Sequence, residues 1–290
     1  MTFTKKLALG AALAALASAP LALAAGKSIQ VKGSDTMVNL GTAWAEAFMK
    51  RKPGVEIAVT GGGSGTGIAA LINGTCDVAE CSRAMKDKEK RLVAAKGAPA
   101  KEITVAIDAL VVAVNPANPV DKLDFGQLSD IFTGKKTSWK DFGGPDRPIT
   151  VLSRERNSGT HVYFLEHVLR HGNEKGPEEY AKTALMMPSS QAIVDEVAQN
   201  KDAIGYYGLG YLNEKNKALA VAHQAGGEYV KPSAPDATAG RYPISRPLFL
   251  YTRGEPTGEV KEFVDFCLSP DGQEVVEKLD FVKIPAAGKK

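Results

Sequence analysis

Strand-like and helix-like periodicities alternate along this chain from Ser28 onward, and that alternation constrains its fold more than any other feature. Ser28–Lys32 reads as a strand. Met37–Arg51 reads as an amphipathic helix with Leu40, Trp44, Ala47 and Phe48 on one face, closed by Pro53-Gly54. Val55–Thr60 is β-rich, Gly61–Gly67 is a glycine loop, and Ile68–Asn73 is a short helix ended by Gly74. Cys76–Cys81 is the next strand and Lys86–Lys96 a charged surface helix. A second stretch repeats the pattern: helix Phe125–Phe132, strand Ile149–Ser153, helices Thr160–Arg170 and Ser190–Asn200, strand Ala203–Tyr206. Helices follow near Val260–Cys267 and Gly272–Leu279. Such an order builds parallel sheets covered by helices, an α/β architecture.

Two apolar extended runs break the alternation, Ala106–Val114 and Pro243–Tyr251. They predict two lobes joined by two crossing strands, the chain leaving the first lobe and returning to it. The expected division is 25–112 for the first part of lobe I, 113–245 for lobe II, and 246–290 for the return.

The first 24 residues read as a cleavable signal peptide. Lys5 and Lys6 form a basic head, Leu7–Ala17 an apolar segment, and Ala22-Leu-Ala24 the small-x-small pattern that signal peptidase needs. Ser18 and Pro20 interrupt the run, which argues against a membrane anchor, and no cysteine near the cleavage point offers a lipid attachment. Cleavage takes two of the 36 basic residues and none of the 33 acidic ones. The exported chain is therefore nearly neutral, without the basic footprint of a nucleic-acid binder. Cys76, Cys81 and Cys267 are an odd number for an oxidising compartment, so at least one is free or pairs between chains. Cys76 and Cys81 bracket a strand, which makes a bridge between them awkward. No CxxC or Cys/His cluster suggests zinc.

Three clusters of small polar residues fall just after a predicted strand and just before a predicted helix. They are Gly33-Ser34-Asp35-Thr36, Gly61-Gly-Gly-Ser64-Gly65-Thr66-Gly67 and Arg154-Glu-Arg-Asn-Ser158-Gly159-Thr160. Helix N-termini expose unpaired N–H groups and a positive partial charge. Ser and Thr add neutral donors, and glycine lets the backbone approach closely. Taken singly, each junction reads equally as a helix cap. Together, with Arg154 four residues ahead of Ser158, they suit a small dehydrated oxyanion.

More specific motifs fail on inspection. The glycine loop lacks the lysine of a P-loop, since Ile68 follows Gly67. Gly65-x-Gly67-x-x-Ala70 fits a dinucleotide fingerprint with Glu80 as ribose partner, but the βαβ span is short. Thr66 spoils a GxSxG element around Ser64. His167 and His171 have HExxH spacing, but Val168 stands where the glutamate should be, and they read as two surface histidines on one helix face. His161 lies near the third cluster and is given no role.

With these residues in view, the chain resembles the periplasmic phosphate-binding proteins of phosphate-specific ABC transporters. The motifs are Gly33-Ser-Asp-Thr36, Gly63–Gly67, Asp77-Val-Ala-Glu-Cys-Ser-Arg83, Asp130-Ile-Phe-Thr-Gly134 with Trp139, Arg154-x-x-x-Ser158-Gly-Thr160, and Ala203-Ile-Gly-Tyr-Tyr207. They run in the family's order over nearly the whole mature chain. The resemblance implies a type II two-lobed fold with phosphate in the cleft, no cofactor, no catalysis, and a periplasmic monomer that serves an inner-membrane permease. It implies phosphate contacts from Thr36, the Met37 amide, Ser64, Ser82, Arg154, Ser158, Gly159 and Thr160, with Ser34, Asp35 and Arg83 as further candidates. Other tetrahedral oxyanions (sulfate, molybdate, tungstate) and an exported phosphatase are the alternatives. Two departures bear on selectivity. Ser82 stands where the best-studied members carry a cleft carboxylate, and Arg156 stands where they carry an acid two residues after the arginine. Asp35 is then the expected acceptor for the proton of hydrogen phosphate, or else an ordinary N-cap. Arg83 is expected to be a second charge on the anion, or a neutraliser of Asp35 or Glu80.

Overall fold

A computed structural model describes residues 28–284. The first half contains β1 (Ile29–Gly33), α1 (Val38–Arg51), β2 (Ile57–Thr60), α2 (Ser64–Asn73), β3 (Val78–Cys81) and α3 (Asp87–Ala94). The long strand β4 (Ala100–Val114) leads to β5 (Lys122–Asp124), α4 (Phe125–Phe132), β6 (Thr150–Arg154) and α5 (Gly159–Phe164). Then come β7 (Leu185–Met187), α6 (Ser190–Gln199), β8 (Ala203–Gly208), β9 (Lys217–Ala218), β10 (Ala220–Ala222) and α7 (Ala234–Thr238). A second long strand, β11 (Ser245–Arg253), precedes α8 (Gly258–Leu268) and α9 (Pro270–Lys278). The signal-peptide reading and Lys289-Lys290 lie outside the described residues. Among the described residues, no helix is long and apolar enough to cross a membrane.

The main sheet runs in the order β2-β1-β3-β11-β4-β8-β6-β7. Pairings β1–β2, β1–β3, β8–β6 and β6–β7 are parallel, whereas β11 and β4 run antiparallel to their neighbours. The crossing strand β4 serves two partners in succession. Ala100–Ala109 pairs with β11 and Leu110–Val114 with β8. Its continuous apolar run follows from burial on both faces in its second half.

The hydrophobic interior divides at the same place. Two cores lie on the first side, one gathering Ile29, Leu40, Trp44, Val78, Ala106, Leu250 and Phe263 and a smaller one gathering Ile68, Leu71, Val93 and Tyr251, and a third gathers Leu110, Val112, Phe132, Phe164, Ile193 and Tyr206 on the other. These are the two lobes, joined through β4 and β11.

Sequence and structure differ at several boundaries. The helix expected from Ile68 begins at Ser64, so Ser64 is its first residue rather than part of a loop. Gly63, at φ 96°, allows the turn, and a Cβ on Gly67 would lie 2.4 Å from the Lys32 carbonyl, so α2 packs straight onto β1. The helix expected from Met37 opens with a 3-10 turn at Asp35–Met37. The helix expected over Thr160–Arg170 changes to a π turn at Leu165–Leu169, after which His171 sits at φ 50°. His167 and His171 therefore do not share a helix face, and His167 is half-buried with Nε2 2.9 Å from the Pro243 carbonyl. All three cysteines are free and buried.

Candidate functional site

The three strand-to-helix junctions meet where the lobes touch. From lobe I come Ser34 and Thr36 after β1, Ser64 at the start of α2, and Ser82 just past β3. All four are buried. From lobe II come Ser158, Gly159 and Thr160 after β6, and these too are buried. Thr36 Oγ1 lies 2.8 Å from Thr160 Oγ1 across the seam. Ser34 Oγ donates to Ser82 Oγ at 2.9 Å, Ser64 Oγ lies 3.3 Å from Ser82 Oγ, and the Ser82 amide donates to Ser64 Oγ at 3.0 Å. Ser158 caps α5, its Oγ accepting from the Thr160 and His161 amides at 3.2 and 3.4 Å. The Met37 amide closes the 3-10 turn on the Ser34 carbonyl at 3.0 Å.

The seam is a backbone contact as well as a hydroxyl cluster. The Gly65 amide donates to the Asn157 carbonyl at 2.9 Å, and Asn157 Nδ2 donates to the Gly62 carbonyl at 2.8 Å. A Cβ on Gly159 would stand 2.3 Å from Ser64 Oγ and 2.7 Å from Ser82 Oγ. Only glycine fits there while the lobes are closed.

Two buried guanidinium groups flank the hydroxyls, each held by an aspartate. Arg154 is held from several sides: Nη1 lies 3.0 Å from both Asp35 Oδ2 and Ser190 Oγ, Nε donates to the Met187 carbonyl at 3.3 Å, and Nη2 donates to the Pro188 carbonyl at 3.0 Å, which leaves one Nη2 N–H. Asp35 Oδ2 also accepts from the Ser190 amide at 2.7 Å. This pair joins opposite lobes, and Asp35 takes up the arginine that Arg156 cannot neutralise. Arg246 lies opposite Asp108 in the register of β11 and β4, with Nη2 2.9 Å from Asp108 Oδ2. The same Nη2 donates to Thr160 Oγ1 at 2.9 Å. Burial pushes the Asp108 carboxyl up, while Arg246 and the Leu209 amide pull it down.

Arg83 and Glu80 lie elsewhere. Arg83 makes a two-point ion pair with Glu89 at 2.8 Å and so neutralises neither Asp35 nor Glu80. Glu80 points into lobe I, fully buried, with both carboxylate oxygens unpartnered, out of reach of any ribose. Burial drives its carboxyl up to about 8. His161 bonds Ser153 Oγ at 3.1 Å and stacks on Tyr180, and burial drives its imidazole down to about 4. It is neutral at pH 7.

Sequence reading passed over Asp108, Arg246, Asn157 and Ser190. The first two did leave a signal: each crossing run carries a charge amid apolar neighbours, Asp108 in one and Arg246 in the other. A charge inside a strand buried on both faces demands a partner, and the antiparallel pairing supplies it.

Two α/β lobes, joined by two strands and closed on a buried, donor-lined seam, define a ligand-binding protein that works by enclosing its ligand. The model of the PBP superfamily domain matches residues 18–271. The phosphate-binding protein PstS of Bacillus subtilis is 35% identical over 256 residues, covering 87% of this chain and 79% of that protein. PstS of Pseudomonas aeruginosa is 32% identical over 271 residues, covering 88% and 82%. A phosphate ABC transporter substrate-binding protein from Clostridium perfringens, solved with bound phosphate, superposes with a TM-score of 0.80 at 33% identity, covering 89% of this chain and 100% of that one. The chain belongs to the PBP superfamily, within its PstS family.

The placement of Asp35 carries a prediction. Because its Oδ2 serves Ser190 and Arg154 across the seam, Asp35→Asn should loosen closure and weaken phosphate and sulfate binding together, each by about 10- to 100-fold. Paired calorimetric titrations read the ratio of the two affinities. A ratio that collapses while phosphate affinity holds would instead make Asp35 the proton acceptor.

Proposed function

We propose that this protein captures inorganic phosphate between its lobes and delivers it to an inner-membrane ABC permease. The observation that carries the reading is the convergence of Thr36, Ser64 and Ser82 from one lobe with Ser158, Gly159 and Thr160 from the other, beside Arg154. Hydroxyl, amide and guanidinium donors suit an oxyanion, and a hydrogen bond to a charged group is worth about 1.5–3 kcal/mol. The matching PstS relatives and the phosphate bound in the Clostridium perfringens protein support phosphate over sulfate, molybdate or tungstate.

Closure is a hinge motion in β4 and β11, near the proposed lobe boundaries at 112/113 and 245/246. Contacts from both lobes favour the closed state by their differential affinity. Arg83 stays outside the anion's contacts, bound to Glu89. The protein acts as a periplasmic monomer after removal of its signal peptide, and it binds without catalysis. A phosphoester hydrolase would need a base or a metal, and the nearest imidazole, His161, is neutral and tied to Ser153. Among the described residues, no group of three or more His, Cys, Asp or Glu side chains is placed to hold a metal.

Calorimetric titration of the mature, phosphate-stripped protein tests the reading. One-to-one phosphate binding at about 1 µM or tighter, corresponding to about 8 kcal/mol, is expected, with weaker sulfate binding and no turnover of a phosphoester. Tighter binding of sulfate or molybdate would reassign the ligand, and ester turnover would overturn the binding-only role.

A further inference from the structure

We propose that Arg246 is a positioning residue of the anion site, which turns the Thr160 hydroxyl outward as a donor to the bound anion. The inference rests on the phosphate-binding reading and extends it to a residue on the crossing strand.

Arg246 belongs to none of the three helix-start clusters that build the site, yet its guanidinium reaches two of them. Nη2 donates to Thr160 Oγ1 of lobe II at 2.9 Å and lies 3.5 Å from Thr36 Oγ1 of lobe I. A hydroxyl carries one donor and two acceptor lone pairs. Once a guanidinium N–H occupies a lone pair, the O–H must point elsewhere. The two threonines bond to each other at 2.8 Å, where only one of them can donate. An oxyanion between them accepts from both. One N–H of Nη2 serves Asp108 Oδ2, so the other, on Thr160 Oγ1, holds that O–H toward the anion. Chains of hydrogen bonds polarise one another in a low-dielectric interior, so the same arrangement strengthens Thr160 as a donor.

The position of Arg246 suits this task in three further ways. Its side chain is buried, 1% exposed, so solvent does not screen its charge. Asp108, equally buried and opposite in register, compensates that charge. Its Nη1 is buried with no hydrogen-bond partner, which leaves donor capacity unused on the group that reaches the threonines. The antiparallel pairing of β4 and β11 holds the two side chains opposite each other.

The test is a double-mutant cycle on phosphate affinity, read by titration calorimetry. Arg246→Met alone would strand a buried carboxylate, so the main variant is Arg246→Gln with Asp108→Asn, checked for folding by its melting temperature. Arg246→Lys serves as the conservative variant. The paired variant should weaken phosphate binding by about 30- to 100-fold, and Arg246→Lys by less. Thr160→Val should cost about 10-fold in the native background and less than about 2-fold in the paired variant, because its hydroxyl is no longer oriented. An equal Thr160→Val penalty in both backgrounds would reduce Arg246 to a structural ion pair, and so would native affinity in a well-folded paired variant. If the native protein ignores phosphate but takes sulfate or molybdate, the phosphate reading falls, and the cycle on that anion still decides the role of Arg246. Indifference to all three overturns both.

Discussion

Gly159→Ala should lose at least about 100-fold in phosphate affinity while each lobe still folds. The reason is steric and confined to the closed seam. A Cβ at that position would stand 2.3 Å from Ser64 Oγ, 2.7 Å from Ser82 Oγ and 3.0 Å from Ser64 Cβ, all on the opposite lobe. Rotating Ser64 Oγ away relieves only part of the clash, because Ser64 Cβ remains and the bond from the Ser82 amide to that oxygen is lost. The lobes would have to part by several tenths of an ångström, and hydrogen bonds weaken steeply when stretched and bent. Within lobe II the methyl group meets no penalty of this kind, and alanine favours a helix over glycine by up to about 1 kcal/mol. The native protein should gain thermal stability from added phosphate by mass action, and the variant should not. Calorimetric affinity and the phosphate-induced melting shift check this together. Native-like affinity in Gly159→Ala would mean that the anion is held with the lobes apart.

Glu80→Gln should change how stability depends on pH. The Glu80 carboxyl is buried without a partner, and burial raises it from 4.5 to about 8. It rests so close to α1 that a Cβ on Gly41 would lie 2.1 Å from its Oε1. The native state therefore holds a proton that the unfolded chain releases above pH 4.5. With more protons bound in the native state, stability falls as pH rises, by about 1.4 kcal/mol per unit through the window from 4.5 to 8. Below that window Glu80 imposes no ionisation penalty, and above it the whole cost is present. Glutamine has the same shape and cannot ionise. The stability difference between variant and native protein should grow in the variant's favour from pH 5 to pH 8, reaching a few kcal/mol. Denaturant unfolding at several pH values measures it. A difference independent of pH would show that Glu80 is already charged in the folded protein, or that a water or ion satisfies it.

The lobes and the site were legible in this sequence to different degrees. The strand–helix alternation and the two apolar crossings located the elements because burial on both faces leaves long unbroken runs, as in β4. The three small-polar clusters were equally visible, since helix starts after strands draw on few residue types. What local pattern could not convey was partnership across distance. Asp35 reads as an N-cap, yet its carboxylate holds Arg154 and the Ser190 amide from the other lobe, more than a hundred residues away. Arg83 follows directly after Ser82, yet pairs with Glu89 one helix on. The short strands β5, β7, β9 and β10 escaped because two or three residues carry no period. The π turn at Leu165–Leu169 escaped because an apolar helix face looks the same whether it winds at four residues or five.

A crystal structure of the phosphate complex would show whether one anion is gripped by both lobes at once. Phosphate oxygens are expected within hydrogen-bond distance of Thr36 and Ser64 from lobe I and of the Ser158–Thr160 helix start from lobe II, with the anion between the threonine hydroxyls that touch each other in the present structure. A phosphate bound to one lobe alone, or lodged away from Thr36 and Thr160, would contradict it.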